Sequence, residues 1–465
     1  MTISELSESA TNLLPFSLTD SQAQLLTALS AFVLHHGPRD VFVLNGYAGT
    51  GKTSVVGALI RAMNENKIKT VNLAPTGRAA KVASKFSGIS SQTIHKRIFR
   101  GNSLDPLETH FFLAENTDRD TIFFIDEASL IVDNENFNSS LLQQLIRHIY
   151  SAPGCAMILL GDIAQLPPIG MSKSPAMNQE RLVEMGLSPI LFTLNQPLRQ
   201  SAKSGILYNA TAIRYALEKN LPFEKYMIFK KKFQDIEIIS SETLSDCLSD
   251  SWSEVGKEET LIITRSNKRA NQYNQGIRRE ILFAESPLER GEKIIISKND
   301  YFWSKKNDVN GFIANGDIAE VEWIGTPIKK YGRWFVEVEL QFPGIENSFS
   351  ANLMLRSLIA EGPSVPRQEM ERFYNSVLAS YEGELSHKIK GALQDPYYNA
   401  LQAKYAYCVT CHKAQGGQWK HVYIDLGGLM INENENLADF YRWLYTAVTR
   451  ATEKVFFINP RIRIK

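Results

Sequence analysis

The stretch that most constrains this chain is the glycine-rich run at residues 46–53, Gly-Tyr-Ala-Gly-Thr-Gly-Lys-Thr, which follows directly after the apolar run Val41–Leu44. A buried strand that leads through a glycine-rich turn into a helix aims several backbone N–H groups and the positive end of the helix at one point. Glycine tolerates positive φ angles and lets the backbone come close to a ligand. The predicted occupant of this loop is therefore a polyphosphate.

Two side chains at the end of the run fit the same prediction. Lys52 can reach the β and γ phosphates of a nucleotide, and Thr53 can place its hydroxyl on Mg²⁺. The helical stretch from Ser54 to Asn64 supplies the expected helix. The remaining nucleotide-binding positions are the loop residues Gly46, Gly49, Thr50 and Gly51.

Length and composition indicate a soluble enzyme of several units. A chain of 465 residues is too long for one hydrophobic core, and 44% apolar residues are enough to fill two to four. Basic and acidic residues number 51 and 50, for a net charge of +1, so any nucleic acid must be bound by local patches rather than by a global field.

The sequence favours a cytoplasmic protein with no membrane association. Residues 1–16 carry Glu5 and Glu8 and do not resemble a secretory signal, and no apolar run approaches the ~18 residues of a spanning helix. The four cysteines are irregularly spaced, which suits a reducing compartment. Residues 408–412, Cys-Val-Thr-Cys-His, have the spacing of a c-type haem attachment site, and a redox pair or a zinc half-site are the other readings. Haem attachment requires export, so we expect free thiols.

Alternation of apolar runs with helical stretches predicts the α/β fold class, with two parallel-sheet domains in tandem. Buried parallel strands are expected first at Val41–Leu44, Thr70–Leu73, Thr121–Ile125 and Ala156–Leu160, and again at Thr260–Thr264, Tyr405–Thr410, Val422–Asp425 and Val455–Asn459. Between these sets, short antiparallel strands are expected at Lys293–Ser297, Ile318–Ile324, Trp334–Phe342 and Ser348–Leu353. The expected division is residues 1–96 and 121–190 for the first domain, 97–120 for a hairpin insertion, 191–290 and 401–465 for the second domain, and 291–400 for a small β-barrel insertion.

Carboxylates and an amide follow two of the predicted strands. Asp126 and Glu127 come directly after Thr121–Ile125, and Gln165 follows Ala156–Leu160. In open α/β sheets, ligands bind at the carboxyl ends of the strands, so these side chains should meet the glycine-rich loop. Asp126 is expected to hold Mg²⁺, Glu127 to orient and deprotonate the attacking water, and Gln165 to bond the γ-phosphate.

These motifs occur together with others in an order that resembles superfamily 1B DNA helicases of the RecD-like and Dda-like group, across roughly residues 18–200 and 260–465. The matching segments are Leu18–Gln22, Ala74–Ala80, Thr93–His95, Leu198–Gln200, Thr264–Asn267, Val409–Gly416 and Leu444–Ala451. The resemblance implies two RecA-like domains, a pin in the hairpin insertion and an SH3-like barrel in the second insertion.

The resemblance also implies roles for individual residues. Gln22 would read the adenine, while Arg199 and Arg450 would reach the γ-phosphate from the second domain, with Arg450 as the arginine finger. The implied DNA contacts are Pro75, Thr76, Gly77, Arg78, Thr93, His95, Asn267, Thr410, His412 and Gln415. Phe111 or Phe112 would be the wedge of the pin, unless the pair only packs within its hairpin.

The implied activity is ATP-dependent unwinding of DNA by a monomer that moves 5′ to 3′ on single strands, with ATP and Mg²⁺ as cofactors. Single-stranded DNA and junctions of single and double strands are the expected partners, single-strand-binding or recombination proteins are candidates, and DNA repair or recombination is the expected setting. Two alternatives stay open at this point: a translocase that strips proteins from DNA without efficient unwinding, and a nucleotide-gated binding protein.

Overall fold

The computed structural model describes residues 1–101, 111–133, 140–196, 204–222, 227–230, 233–307, 309, 313–342, 345, 347–427, 436–460 and 463–464. Helices and strands are numbered along the chain. Two parallel sheets form two lobes, and an antiparallel sheet is inserted in the second lobe. The prediction of an α/β fold with two parallel-sheet domains is confirmed.

The first lobe is built on a parallel six-stranded sheet in the order β3-β2-β6-β7-β1-β8. Its strands are β1 (Asp40–Gly46), β2 (Lys69–Ala74), β3 (Ser91–Thr93), β6 (Thr121–Ile125), β7 (Ala156–Gly161) and β8 (Ser188–Leu194). Its helices are α1 (Ile3–Asn12), α2 (Asp20–His35), α3 (Lys52–Glu65), α4 (Gly77–Ser87), α5 (Ile94–Ile98), α6 (Leu141–Ile149) and α7 (Gln179–Glu184). The last strand runs past residue 190, where the sequence had placed the end of this domain.

Both faces of this sheet are covered, which explains the uninterrupted apolar runs. Phe42 and Leu44 of β1 pack into one core with α1, α2 and α3, whereas Val41 and Val43 pack into the other core with α5 and α6. Successive side chains of a strand point to opposite faces, so a strand buried on both sides needs apolar residues at every position.

The second lobe carries a parallel five-stranded sheet in the order β10-β20-β19-β11-β18. Its strands are β10 (Ile236–Ile239), β11 (Thr260–Thr264), β18 (Cys408–Thr410), β19 (Trp419–Asp425) and β20 (Ala451–Ile458). Two short strands, β9 (Met227–Ile228) and β21 (Arg463–Ile464), form a separate parallel pair. Its helices are α8 (Gly205–Glu218), α9 (Leu244–Val255), α10 (Asn267–Glu280), α15 (Cys411–Ala414) and α16 (Leu437–Val448).

The insertion is an antiparallel sheet with four helices. Its strands are β12 (Lys293–Ile296), β13 (Ile318–Ile324), β14 (Ile328–Lys330), β15 (Arg333–Gln341), β16 (Phe349–Met354) and β17 (Ala403–Tyr405), and its helices are α11 (Phe302–Lys306), α12 (Leu355–Leu358), α13 (Arg367–Leu378) and α14 (Leu385–Gln394). The expectation of one strand over Tyr405–Thr410 is wrong. Tyr405 pairs with Ile294 of the insertion, and Cys408 pairs with Ile262 of the second lobe, so the chain changes sheet between them. Both sheets bury apolar side chains, so the pattern of apolar residues does not show where the chain passes from one sheet to the other.

The hairpin insertion of the first lobe consists of β4 (Phe99–Gly101) and β5 (Phe111–Leu113), which pair antiparallel. Phe112 is 58% exposed, as a wedge would require. The tip between the two strands and the side chain of Phe111 lie outside the described residues.

Within the described ranges, no helix combines the length and apolar character needed to cross a bilayer.

Candidate active site

The glycine-rich loop has the geometry of a phosphate cradle. It leaves β1 at Gly46 and enters α3 at Lys52, and Gly49 and Gly51 adopt φ angles of 73° and 78°. A β-carbon on Gly46 would lie 2.7 Å from Cδ of Lys52, so that position has no room for a larger residue. The N–H groups of the first turn of α3 have no acceptor within the helix and can receive an anion.

Lys52 is held at the centre of the site. Its Nζ donates to the carbonyl oxygen of Gly161 at the end of β7, at 3.0 Å. Lys52, Thr53 and Asp126 line one small cavity of about 30 Å³. The residues that the sequence assigned to phosphate and metal are therefore neighbours.

The two acidic residues after β6 differ in their surroundings. Burial raises the pKa of Asp126 to about 6, although the nearby Lys52 ammonium opposes the rise. Glu127 has a φ of 49°, which is a left-handed conformation that costs roughly 1–3 kcal/mol for a residue other than glycine. A strained backbone conformation persists only where the surrounding structure stabilises it, and such positions are typical of functional sites.

Several buried polar atoms at this site lack hydrogen-bond partners among the described residues, and they include Oε2 of Glu127 and Oε1 of Gln165. Unpaired buried polar atoms are costly, so they point to a missing ligand. Carboxylate and hydroxyl oxygens are hard donors that suit Mg²⁺, and Lys52 with the loop N–H groups suits a triphosphate. The residues present thus fit a nucleotide with Mg²⁺, for which Asp126 and Thr53 would supply the metal-binding oxygens.

Gln22 supports the loop through its side-chain amide. Its Nε2 donates to the carbonyl oxygen of Thr50 at 2.9 Å, and its Oε1 accepts from the N–H of Thr19 at 3.0 Å in the capping box of α2. The side chain is 1% exposed. Its only donor group is partly committed to the loop, so a bond to a base edge would use its second amide hydrogen or a rearranged side chain.

Hydrogen bonds join the second lobe to the strand ends of the first. The hydroxyl of Tyr445 accepts from the N–H of Ala48 at 2.8 Å and donates to Oδ2 of Asp162 at 2.7 Å. The N–H of Leu166 donates to Oγ1 of Thr446, and Nε2 of Gln415 donates to the Leu166 carbonyl oxygen, both at 2.8 Å. Gln415, predicted to contact DNA, here links the two lobes.

Arg450 is buried directly after α16. Its guanidinium donates to the carbonyl oxygens of Thr446 and Gly417, each at 3.1 Å, and to Oγ1 of Thr449 at 3.3 Å. All three acceptors belong to the second lobe, and its role at the phosphate stays a prediction. Arg199 lies outside the described residues.

A groove of about 830 Å³ runs between the two lobes and the insertion, away from the phosphate loop. Its lining includes cations from all three units and a smaller number of carboxylates: Arg78, Lys81 and Lys96, then Lys257 and Lys293, and Glu258, Glu259 and Asp317. Positive side chains therefore outnumber carboxylates in the lining, which favours a negatively charged ligand.

Two of the predicted DNA contacts meet other parts of the protein in this groove. The Arg78 guanidinium stacks on the ring of Trp419 of the second lobe. A β-carbon on Gly77 would lie 2.7 Å from Oδ1 of Asp317, so the carboxylate of the insertion rests against the start of α4. Burial raises the pKa of Asp317 to about 6.

Of the other predicted DNA contacts, Thr93 also lines this groove. Thr76 and Thr93 cap α4 and α5 through their hydroxyls, and Pro75 precedes the first of these caps. His95 packs beside Phe99, and burial lowers its pKa. Asn267 and Thr410 line a second small cavity, and His412 next to it is exposed.

Sequence reasoning missed Asp162, Trp419, Asp317 and the individual role of Tyr445. Asp162 and Tyr445 lie inside sequence motifs that also contain predicted site residues, and this location could have indicated them. The sequence contains no motif that would indicate Trp419 or Asp317, because both residues act through contacts with units far away in the chain.

The cysteine segment after β17 is structural. Cys408 and Cys411 are buried, and all four cysteines are free thiols. Burial raises the pKa of Cys411 to about 12, which leaves it protonated.

Comparisons with known proteins cover most of the chain. Residues 17–204 match the family model described as AAA domain, and residues 405–458 match the one described as UvrD-like helicase C-terminal domain. The ATP-dependent DNA helicase dda of Enterobacteria phage T4 is 24% identical over 451 residues, which cover 89% of this chain and 93% of that protein.

Two further relatives and a solved structure are similar over different shares of the chain. The uncharacterized protein R530 of Acanthamoeba polyphaga mimivirus is 21% identical over 91% of this chain and 96% of its own. The ATP-dependent RecD2 DNA helicase of Deinococcus radiodurans is 26% identical over 42% of this chain and 23% of its own. A crystal structure of Pif1 helicase from Bacteroides in complex with ADP-AlF3 and ssDNA is 16% identical, covers 95% of this chain and 92% of its own, and has a TM-score of 0.47.

Proposed function

The chain belongs to superfamily 1B of the helicases, in the RecD-like and Dda-like group, and from this premise we propose that it is an ATP-dependent DNA helicase that moves 5′ to 3′ on single strands and unwinds duplex. The observation that carries the proposal is the hydrogen bonding between the phosphate loop of one lobe and the helix before Arg450 in the other. A motor needs such a connection, because hydrolysis must alter the relation between its two halves.

The residues of the first lobe supply the hydrolytic chemistry. Lys52 and the N–H groups of the loop bind the phosphates, and Glu127 holds and deprotonates the attacking water. Asp126 and Thr53 would hold Mg²⁺, which would neutralise charge on the phosphate oxygens. Gln165, whose Oε1 has no hydrogen-bond partner in the part of the chain that the structure describes, would bond the γ-phosphate through its amide.

Cations from the second lobe complete the site when the cleft closes. Arg450 acts as the arginine finger, and Arg199 is the second cation. Both would stabilise charge on the transferred phosphoryl group, an effect of about 10³-fold or more in related chemistry. Arg450 must exchange its bonds to Thr446 and Gly417 for this contact, which couples hydrolysis to a change in the second lobe.

The groove lined by cations is the proposed path of single-stranded DNA. Arg78, Lys81 and Lys96 on one side and Lys257 and Lys293 on the other would contact phosphates. The antiparallel insertion, which we propose to be SH3-like, forms the third wall. The hairpin of β4 and β5 would act as the pin, with the exposed Phe112 as the wedge candidate.

Tailed duplexes test this proposal. The protein with ATP and Mg²⁺ should release the labelled strand from a duplex with a 5′ single-stranded tail and not from one with a 3′ tail. Release from the 3′-tailed substrate alone would contradict the direction. ATP consumption on single strands without release from either substrate would support a translocase instead.

A further inference from the structure

The hydroxyl of Tyr445 occupies a junction between three segments. It accepts from the N–H of Ala48 in the phosphate loop and donates to the carboxylate of Asp162 after β7. Tyr445 is 1% exposed and Asp162 is 2% exposed, so bulk water cannot replace the hydrogen bond between them. Because β1 and β7 are adjacent strands, a single hydroxyl from the second lobe fixes both of their loops.

The next residue of the helix reinforces this junction. Oγ1 of Thr446 accepts from the N–H of Leu166, which follows Gln165 in the same loop as Asp162. Two consecutive side chains of α16 therefore hold the loop that carries Gln165. The phosphate loop, the Gln165 loop and α16 form one hydrogen-bonded unit.

Arg450 lies a short distance farther along the same segment. It follows Tyr445 by five residues and lies two residues beyond the end of α16 at Val448. The Arg450 guanidinium also bonds the carbonyl oxygen of Thr446. One of the bonds that hold the guanidinium therefore comes from the turn that Tyr445 and Thr446 attach to the first lobe, and another comes from the Gly417 carbonyl oxygen.

We propose that Tyr445 is the positioning residue for Arg450: its hydroxyl anchors the last turns of α16 to the phosphate loop, so that closing the cleft delivers the guanidinium to the phosphates. The inference rests on the proposed function. Removal of the hydroxyl leaves the Ala48 N–H and an Asp162 oxygen without this partner, and α16 can shift relative to the loop.

The test compares Tyr445→Phe with Tyr441→Phe. Tyr441 lies one turn earlier in α16, is fully buried, and donates its hydroxyl to the carbonyl oxygen of Leu221 in its own lobe, at 2.7 Å. Both variants keep the ring and lose one buried hydroxyl. Tyr445→Phe should lower the DNA-stimulated kcat for ATP about tenfold with a much smaller change in KM, whereas Tyr441→Phe should leave both constants unchanged.

A double-mutant cycle separates positioning of Arg450 from support of the loop alone. If Tyr445 acts through Arg450, Tyr445→Phe should lower kcat in the wild-type background and change it little in an Arg450→Ala background. The same fold loss in both backgrounds would overturn the proposal. A variant that raises KM and leaves kcat intact would overturn it as well.

Amide hydrogen exchange gives a readout that does not need catalysis. Tyr445→Phe should speed exchange in residues 46–50, 162–166 and 447–451 relative to Tyr441→Phe, and unchanged exchange there would overturn the proposal. Suppose that the wild type shows no DNA-dependent hydrolysis but Tyr445→Phe still exchanges faster than Tyr441→Phe in these three ranges. That result would contradict the proposed function and support the anchoring role.

Discussion

The Arg78 guanidinium lies 3.6 Å from the ring centroid of Trp419, so a cation of the first lobe stacks on an aromatic ring of the second. Stacking uses the face of the guanidinium and leaves its N–H edge free to donate. Burial lowers the pKa of Arg78 to about 10, which still leaves it charged at neutral pH. The ring can therefore orient Arg78 for a phosphate in the groove.

Trp419→Leu should weaken single-stranded DNA binding, because Arg78 loses the surface that orients it. A buried cation–π contact is worth about 1–2 kcal/mol, which corresponds to a rise in Kd of roughly five- to thirtyfold. Trp419→Phe should keep most of the affinity. Fluorescence anisotropy with a labelled oligonucleotide measures the effect, with Trp334→Leu as the control, since Trp334 is half exposed on the insertion. Equal affinities of the Leu variant and the wild type would contradict this role.

Glu127→Gln should still bind ATP and should hydrolyse it at least about 100-fold more slowly, because the amide cannot accept the proton of the attacking water. Single-turnover hydrolysis together with equilibrium binding of a labelled nucleotide separates these effects. Hydrolysis at the wild-type rate would remove Glu127 from the mechanism.

Gln22→Glu should weaken nucleotide binding without altering base preference. The variant keeps an acceptor for the Thr19 N–H but loses the donor to the Thr50 carbonyl oxygen, so the loop is less well held. We expect the affinities for ATP, GTP and CTP to fall by similar factors, about tenfold each. A loss confined to ATP would indicate that Gln22 reads the adenine.

Asp317→Asn should stabilise the protein at pH 8 and have less effect near pH 4. The folded-state pKa of about 6 lies above the ordinary value of 3.8, so the folded state binds more protons between these pH values and the free energy of unfolding falls as pH rises through them. The asparagine removes that penalty, and Tm at pH 8 should rise by about 2 °C. Glu320→Gln, at an exposed position of β13, is the control. A Tm increase that is equal at both pH values would contradict the assignment to this carboxyl.

The proximity of Lys52 to Asp126 could be predicted from the sequence, because each belongs to a short run of consecutive residues. The loop around Lys52 and the pair Asp126 and Glu127 follow buried strands, and the carboxyl ends of parallel strands meet at one edge. The strain at Glu127 could not be predicted, since it is a property of the backbone.

The contacts between the two lobes could not be predicted from the sequence. Gln415 bonds Leu166 and Tyr445 bonds Asp162, and each pair is separated by more than 200 residues in the chain. The crossing from β17 to β18 was missed because Tyr405 and Cys408 are both buried, although in different sheets. Patterns of apolar residues report burial and do not report which sheet a strand joins.

The measurement that tests the central claim most directly is ATP turnover with and without single-stranded DNA, for the wild type and for Lys52→Ala. If the two lobes close on the nucleotide in response to a bound strand, DNA should increase wild-type turnover severalfold, and Lys52→Ala should abolish it under both conditions. Wild-type turnover that is the same with and without DNA would contradict the account.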